Sequence, residues 1–598
     1  MVNYLDGELL YQAFVSGARA VRKEREHLNK INVFPVPDGD TGNNLSVTLN
    51  ALATVTPDKA IGKSLKSIAQ ATLAGARGNS GVIFAGFVSG LTIDIADVPV
   101  ISTRNFADMV HRAVPHAYQA ISNPVEGTMI TVMKDWAMAV KALGEKTTDF
   151  VELFNSTLDV ARASLEATPE KLKVLKDALV VDSGAKGFVL FLEGFSASLK
   201  GAAKGAENVG QQEIADGSDG NNQGLHAGIS HRYCSEAFII GDDLNVDEIR
   251  ALAEQAGDSV VVAGGSMGVK VHFHSNNPQD FFLAMRKKGE FASQKVEDML
   301  RQYQMLHQRK APIALVTDSI ADLSQELLDE YQVHVVPLNL MIEGNTFLDK
   351  LTIKPDRFYA LLNDVKEYPT SSQPNQVYVA ELFEQLRQHY EAIIVVSVSQ
   401  ELSGTHNVFQ QAARPLQNDN YPITVINSRL NSGAQGLLVL RAAQMISAGH
   451  SYNDVIEGIA RDIPNGYIYV SVVDFQNMVR GGRVSPLKGT AARMLNMNPV
   501  ISLDKQGNGI AFATTFSKAA VQKKIMAMVE AHSKGLGVEA FSVVHSNSPD
   551  KAQAFAAQIS GILGMKPAYI AEISPIVGIS AGLGAVAVSL ICRSEDKE

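Results

Sequence analysis

This 598-residue chain has two cysteines, one tryptophan and fewer basic than acidic residues. Cys234 and Cys592 cannot build a disulfide framework, which excludes the stapled secreted domains and points to a reducing, cytoplasmic setting. A net charge of −10 leaves no basic surplus, so nucleic acid is not an expected partner. The start, MVNYLDGELLYQAF, carries acids where a secretory leader has a basic and then an apolar stretch. Long uncharged runs are also scarce. Residues 573–592 hold no charged side chain and are about long enough to span a bilayer. Pro575, Gly578, Gly582, Gly584 and the serines Ser574, Ser580 and Ser589 interrupt that run. It reads as a turn between two buried strands, or between a strand and a helix.

What remains is an ordinary globular composition, 46% hydrophobic and 19% charged. The length calls for several domains. Residues 1–203 show apolar positions at helical spacing, as in Leu9, Leu10, Phe14 and Ala18. Residues 204–230 are Gly, Asn, Gln, Asp and Ser-rich, a flexible linker composition that would let the head swing. Residues 231–298 predict a small α/β unit, with strands over 237–240, 259–263 and 269–273 and a helix over 246–256. Residues 299–311 predict a helical connector. From 312 onward strands and helices alternate, which predicts an α/β fold with a largely parallel sheet. A second lobe begins near 467, giving lobes of 312–466 and 467–598.

The richest segment is Asn32-Val-Phe-Pro-Val-Pro-Asp38-Gly-Asp40-Thr41-Gly-Asn43-Asn44. Two carboxylates one residue apart, in a loop stiffened by prolines, suit a hard divalent cation. Mg²⁺ takes oxygen ligands, usually a few from protein and the rest from water and phosphate. Asp38 and Asp40 supply two, Asn32 a third, and Thr41 or Asn43 can help. A solvated Asp-Gly turn is the plain alternative. Gly75-Ala-Arg77-Gly78-Asn79-Ser80-Gly81 lies between two helical runs and offers backbone N–H groups and a cation to an anion. It also reads as a tight helix–helix turn. Further turns follow at Glu126-Gly127-Thr128 and Asp182-Ser183-Gly184.

Cys234, His272 and His274 offer sulfur and nitrogen ligands, and the two histidines share one face of a strand. Their spacing matches no zinc finger, so a Zn²⁺ site competes with a buried thiol beside two hydrogen-bonded histidines.

The acidic loop and the three glycine turns, in order, resemble the dihydroxyacetone-kinase ATP-binding (DhaL) family, in the version found in bacterial fatty acid kinases. The resemblance covers residues 1–203. It implies an all-α DhaL-type helical barrel that binds ATP and Mg²⁺. Asp38, Asp40 and Arg77 would be catalytic. Asn32, Thr41, Asn43, Gly78, Asn79, Ser80, Gly81, Gly127, Thr128, Asp182 and Gly184 would hold the cofactor. Residues 231–298 look like the middle domain of the same kinases, which implies that Cys234, His272 and His274 hold a structural zinc.

In the second half, Val316-Thr-Asp318-Ser319-Ile-Ala-Asp322-Leu, Pro369-Thr370-Ser371-Ser372-Gln373-Pro374, Ser403-Gly404-Thr405 and Arg480-Gly481-Gly482-Arg483 resemble the DegV family of fatty-acid-binding proteins. That implies a two-lobed α/β domain with a lipid carboxylate held by Ser371, Ser372, Ser403, Arg480 and Arg483. A departure stands at Ser580, where the family has a histidine. Serine still donates a hydrogen bond but carries no charge.

Together the resemblances imply a fatty acid kinase fused to its lipid carrier, converting ATP and a fatty acid to ADP and acyl-phosphate. An acceptor enzyme at the membrane surface, transient peripheral membrane contact and a homodimer go with that reading. Two alternatives are a glycerone (dihydroxyacetone)-type kinase, for which no ketose-capturing histidine domain is visible, and a non-catalytic lipid-binding regulator with a nucleotide-sensing head.

Overall fold

The computed structural model describes residues 1–95, 98–204, 230–362, 364–418, 420–481, 498–515 and 517–594. The expected linker, apart from its end residues, lies outside the described residues, as does Arg483. The chain divides into two units, Met1–Leu300 and Arg301–Glu598. The first therefore takes in both the helical head and the 231–298 region, which the sequence pattern had set apart.

The head consists of helices whose starts are fixed locally. Asp6 accepts from Leu9 N–H at the start of Gly7–Lys23, and Ser102 with Asn105 forms a capping box at Thr103–Gln119. Their apolar faces close on an aromatic centre. Phe154 stacks on Phe195 at 4.7 Å, and Phe84 meets Phe191 edge-on at 4.9 Å. The cavity left among these rings is about 30 Å³, room for about one water. The interior is thus a packed core, and any chemistry must sit at the rim.

The middle region is a four-stranded antiparallel sheet in the order Asp258–Gly265, Gly268–Ser275, Tyr233–Ile240, Glu290–Asp298. The last strand was not anticipated, because its mixed polar sequence hides the alternation. The helix Val246–Ala256 starts at Asn245, whose side chain accepts from Asp247 and Glu248 N–H. Phe238, Val261 and Ala263 of the sheet pack with Leu73, Val82 and Ala85 of the head in one apolar cluster. Val261 also forms a β-bridge with Ile121.

The second unit has a four-stranded parallel sheet, ordered Ile423–Asn427, Ala392–Ser397, Ile313–Asp318, His334–Val336. A six-stranded sheet follows, built on Gly466–Ser471, Val586–Cys592 and Val538–His545. It is antiparallel apart from the Val538–His545 and Tyr569–Glu572 pair, and the first lobe adds a three-stranded antiparallel sheet of Asn345–Leu348, Asn339–Ile342 and Thr370–Ser372, so the parallel expectation holds for the four-stranded sheet alone. The expected strand over 333–340 is two strands in two sheets, because Pro337 has no N–H to continue the ladder. Residues 573–592 form the short helix Pro575–Ala581 and the strand Val586–Cys592. Among the described residues no helix is long and apolar enough to cross a membrane.

Candidate functional site

At the rim of the head, helix starts are brought together. Gly78 opens the helix Gly78–Gly90 with φ +58°, a left-handed conformation that glycine takes without strain. A side chain there would collide with Asn44 of the helix Thr41–Asn50. Gly184, in the helix Ser183–Lys204, packs so closely that a Cβ would stand 3.0 Å from Ser80 Oγ and 3.2 Å from Met129 Cε. Met129 begins the helix Met129–Leu143. The four sequence motifs thus meet, with their helix N-termini, in one place. Partial positive charge from each helix favours an anion there.

The acidic loop enters the same place. Asn32 Nδ2 donates to Asp38 Oδ1 at 2.6 Å, while Asn44 hydrogen-bonds Asp40. Loss of water and the neighbouring Asp40 push the Asp38 carboxyl well above the usual range. Asp40 is also raised, chiefly by burial. Two half-buried acids crowded together repel each other when ionised, and a cation beside both relieves that repulsion. Asn79 Oδ1 is a buried oxygen with no hydrogen-bond partner. The neighbouring carboxylates of Asp38 and Asp40 beside helix N-termini fit Mg²⁺ with a polyphosphate. Asn43 is exposed, its N–H donating to Asn29 Oδ1 at 3.1 Å, and Thr41 is buried at the helix start.

Other expected residues turn out to be engaged elsewhere. Asp182 is buried and accepts from the N–H groups of Ala185, at 2.7 Å, and Met129. Burial lifts its pKa to about 6. It ties together the starts of the helices Ser183–Lys204 and Met129–Leu143. Gly127, at φ +89°, donates its N–H to Thr131 Oγ1, and Thr128 Oγ1 donates to Val125 O. Arg77 Nη1 lies 3.2 Å from Glu236 Oε2, and Gly78 N–H donates to Glu236 Oε1 at 2.5 Å. Both were expected to face phosphate.

Glu236 comes from the middle sheet, whose polar face was only partly legible. The pairings Cys234↔His274 and Glu236↔His272 place these four residues side by side, and Lys295 and Glu297 join them from the strand Glu290–Asp298. Period-two alternation from Cys234 and from His272 was the available signal for Glu236 and Lys270. His272 Nε2 stands 3.2 Å from His274 Nε2, and Cys234 Sγ 3.8 Å from His272 Nδ1. The three ligand atoms lie within 4.8 Å of one another. Burial, with His272 nearby, drops His274 to about 3, so its ring is neutral, as a metal ligand must be. Burial raises the Cys234 thiol. This donor set fits a zinc-like ion.

The second unit holds a cavity of about 460 Å³, within the range of small-molecule sites. Leu338, Ile468, Val470 and Ile576 supply apolar wall, and Ser371, Ser372, Ser403 and Ser580 supply hydroxyls. Among the described residues the wall carries no charged side chain. Ser371 and Ser372 come in on the strand Thr370–Ser372, and Ser403 Oγ pairs with Thr405 Oγ1 at 2.8 Å. Arg480 does not line the cavity. It is exposed and lies over the Tyr368 ring at 5.6 Å, because Tyr368 is itself fixed by its bond to Ile579 O. The Asp318 and Asp322 motif acts as a bracket. Asp318 Oδ2 accepts from Val398 N–H at 2.7 Å, while Asp322 takes Ser432 Oγ, Ser574 N–H and Lys350 Nζ.

Three family models match the chain in order: a DAK2 domain over 35–197, a FakA-like fatty acid kinase middle domain over 230–306, and the DegV family over 312–593. Protein YloV of Bacillus subtilis is 34% identical over 321 residues, 50% of this chain and 57% of that protein. An uncharacterized protein of Staphylococcus saprophyticus is 34% identical over 317 residues, 51% and 57% respectively. The chain thus spans under two thirds of the length of these relatives. Among solved structures, a fatty acid binding DegV family protein from Streptococcus agalactiae aligns at 22% identity and TM-score 0.44, covering 47% of this chain and 99% of that one. DegV, a fatty acid binding protein from Bacillus subtilis, aligns at 26% and 0.43, covering 47% and 100%.

Proposed function

From a chain that joins a DAK2 domain and a FakA-like fatty acid kinase middle domain to a DegV-family domain, we propose an ATP-dependent kinase that phosphorylates a fatty acid carboxylate held in its second half. The observation that carries this is the co-occurrence, in one chain, of converging helix N-termini with two cation-seeking carboxylates and a largely apolar cavity whose wall includes Ser371, Ser372, Ser403 and Ser580.

Asp38 and Asp40, hydrogen-bonded by Asn32 and Asn44, would together hold Mg²⁺. Bound there, the ion would neutralise phosphate charge in the transfer. Ser80 and Asn79 would meet the phosphates from the Gly78–Gly90 helix start. Ser371, Ser372 and Ser403 would donate to the lipid carboxylate, which must find such partners on leaving water. A carboxylate is already ionised at neutral pH and needs no general base to act as nucleophile. Ser580 adds a neutral donor where DegV proteins were expected to place a histidine, so the carboxylate would be held by hydrogen bonds rather than an ion pair. Cys234, His272 and His274 would carry a structural zinc. A homodimer and an acceptor for the acyl-phosphate at a membrane surface complete the reading.

Incubation with Mg-ATP and a panel of fatty acids, with acyl-phosphate trapped as hydroxamate, tests this directly. Lipid-dependent product that disappears in the Asp38→Ala, Asp40→Ala double variant is expected. ADP without hydroxamate would point to another acceptor, such as a glycerone-type substrate. Fatty acid binding with no turnover would leave a lipid-binding regulator.

A further inference from the structure

Glu236 stands between two sites that the proposed function treats separately. Its Oε1 accepts from Gly78 N–H at 2.5 Å and lies 3.5 Å from His272 Nδ1. Its Oε2 takes Arg77 Nη1 at 3.2 Å and Lys270 Nζ at 3.1 Å. The carboxylate is 3% exposed and Lys270 1%. An ion so enclosed keeps its charge only through these partners. Gly78 N–H is the first donor of an anion-favouring helix start, and Arg77 is the cation beside it. A protein carboxylate therefore occupies donors that a nucleotide phosphate would compete for.

The other end of the contact is the cysteine–histidine trio. The Nε2 atoms of His272 and His274 face each other at 3.2 Å. A metal taken up on the Nε2 side of His272 would leave its Nδ1, 3.5 Å from Glu236 Oε1 and 3.8 Å from Cys234 Sγ, to carry the N–H. Carboxylates in that position orient metal-bound imidazoles and respond to the metal. An imidazole polarised by a cation is a stronger donor, and a carboxylate drawn towards it holds its other partners less tightly.

We propose that Glu236 is a positioning residue that links metal occupancy of Cys234, His272 and His274 to nucleotide affinity at Gly78 and Arg77. Metal draws Glu236 towards His272 and releases the two phosphate-facing donors, so metal and nucleotide bind with positive coupling. By linkage each raises the affinity of the other by the same factor. The inference rests on the nucleotide and metal readings above, and it adds the route between them. The middle domain then forms part of the nucleotide site.

The test uses the full chain. Zn²⁺ affinity is measured by competition with a chromophoric chelator, with and without MgADP, and MgADP affinity by calorimetry, with and without Zn²⁺. The expected result is a reciprocal tightening of about fivefold or more, lost in Glu236→Gln while both ligands still bind. The double variant Glu236→Gln, Lys270→Met removes the buried lysine's need for a partner and should show the same loss in a well-folded chain. Coupling that survives in both variants would mean the metal's charge acts on Asp40 through space, and would overturn the Glu236 route. Zn²⁺ and MgADP both binding without coupling in the parent protein would overturn it too. Absence of Zn²⁺ binding, or of MgADP binding, would sink the corresponding underlying reading and this inference with it.

Discussion

Asn32 Nδ2 donates to Asp38 Oδ1 at 2.6 Å, and this bond fixes which way the first carboxylate of the acidic loop faces. The asparagine expected from its motif to be a metal ligand thus also orients the neighbouring carboxylate. Outer partners of this kind typically contribute about tenfold or more to metal affinity. Asn32→Ala should weaken Mg²⁺ binding by about tenfold, read from the Mg²⁺ dependence of nucleotide binding. Asn32→Asp should do worse, since it adds a third acid to two that already repel. Equal Mg²⁺ affinity in Asn32→Ala would show that Asp38 needs no guide.

Asp182 gives a pH prediction with a definite sign. Burial raises its folded-state pKa to about 6, against about 3.9 in an unfolded chain. The folded state therefore binds the proton more tightly. The stability tied to that proton is fully present below the unfolded value and lost as pH rises through the folded one. Between pH 7 and pH 5 the parent should gain about 1 kcal/mol relative to Asp182→Asn. Trp136, the single tryptophan and 2% exposed in the head, reports this unfolding by its fluorescence. Parallel curves for the two proteins would show that Asp182 is ionised without penalty.

Much of the architecture was written in local signals. The helix over 246–256 is visible because Asn245 and the acids after it mark its start, and Ile249 and Ala253 fall on its buried face. The acidic loop and glycine turns were legible through their ordered resemblance to the DhaL family, since each alone also reads as a plain turn. What escaped was set by pairing across the chain. Nothing near residue 77 announces that Arg77 is paired with Glu236, or that Gly78 N–H is taken. The strand Glu290–Asp298 escaped because Lys295 and Glu297 lie beside the buried cluster around Glu236 while Glu290 and Ser293 are exposed, so polar residues fall on more than one side. Arg480 was assigned to the lipid carboxylate by motif, yet its partner is the Tyr368 ring, a contact no short motif encodes.

Gly481 and Ser580 predict how tightly the lipid cavity tolerates change. A Cβ on Gly481 would run into Ser580 Oγ, which lies on the cavity wall. Gly481→Ala should cost about 1–3 kcal/mol through overpacking. It should also shift the Pro575–Ala581 helix and lower fatty acid affinity, measured by displacement of a fluorescent fatty acid. Ser580→Ala creates no clash and removes one hydroxyl. Its loss of affinity should be only a few-fold, the scale of a single neutral hydrogen bond. A loss of a hundredfold in Ser580→Ala would mean that this serine carries the carboxylate alone.

Blocking the cavity separates lipid binding from nucleotide binding. Val470, on the strand Gly466–Ser471, lines the lumen of about 460 Å³ that an acyl chain must fill. Val470→Phe places a ring where the chain would lie. Fatty acid binding should fall by at least about tenfold, because each methylene denied burial forfeits about 0.8 kcal/mol and two such losses suffice. MgADP binding should stay unchanged, since the acidic loop and the helix starts belong to the first unit. Lipid-dependent turnover should then vanish while nucleotide affinity persists, as read by hydroxamate trapping beside calorimetry. Turnover that continues in Val470→Phe would move the acyl substrate out of this cavity, and with it the role assigned to the four serines.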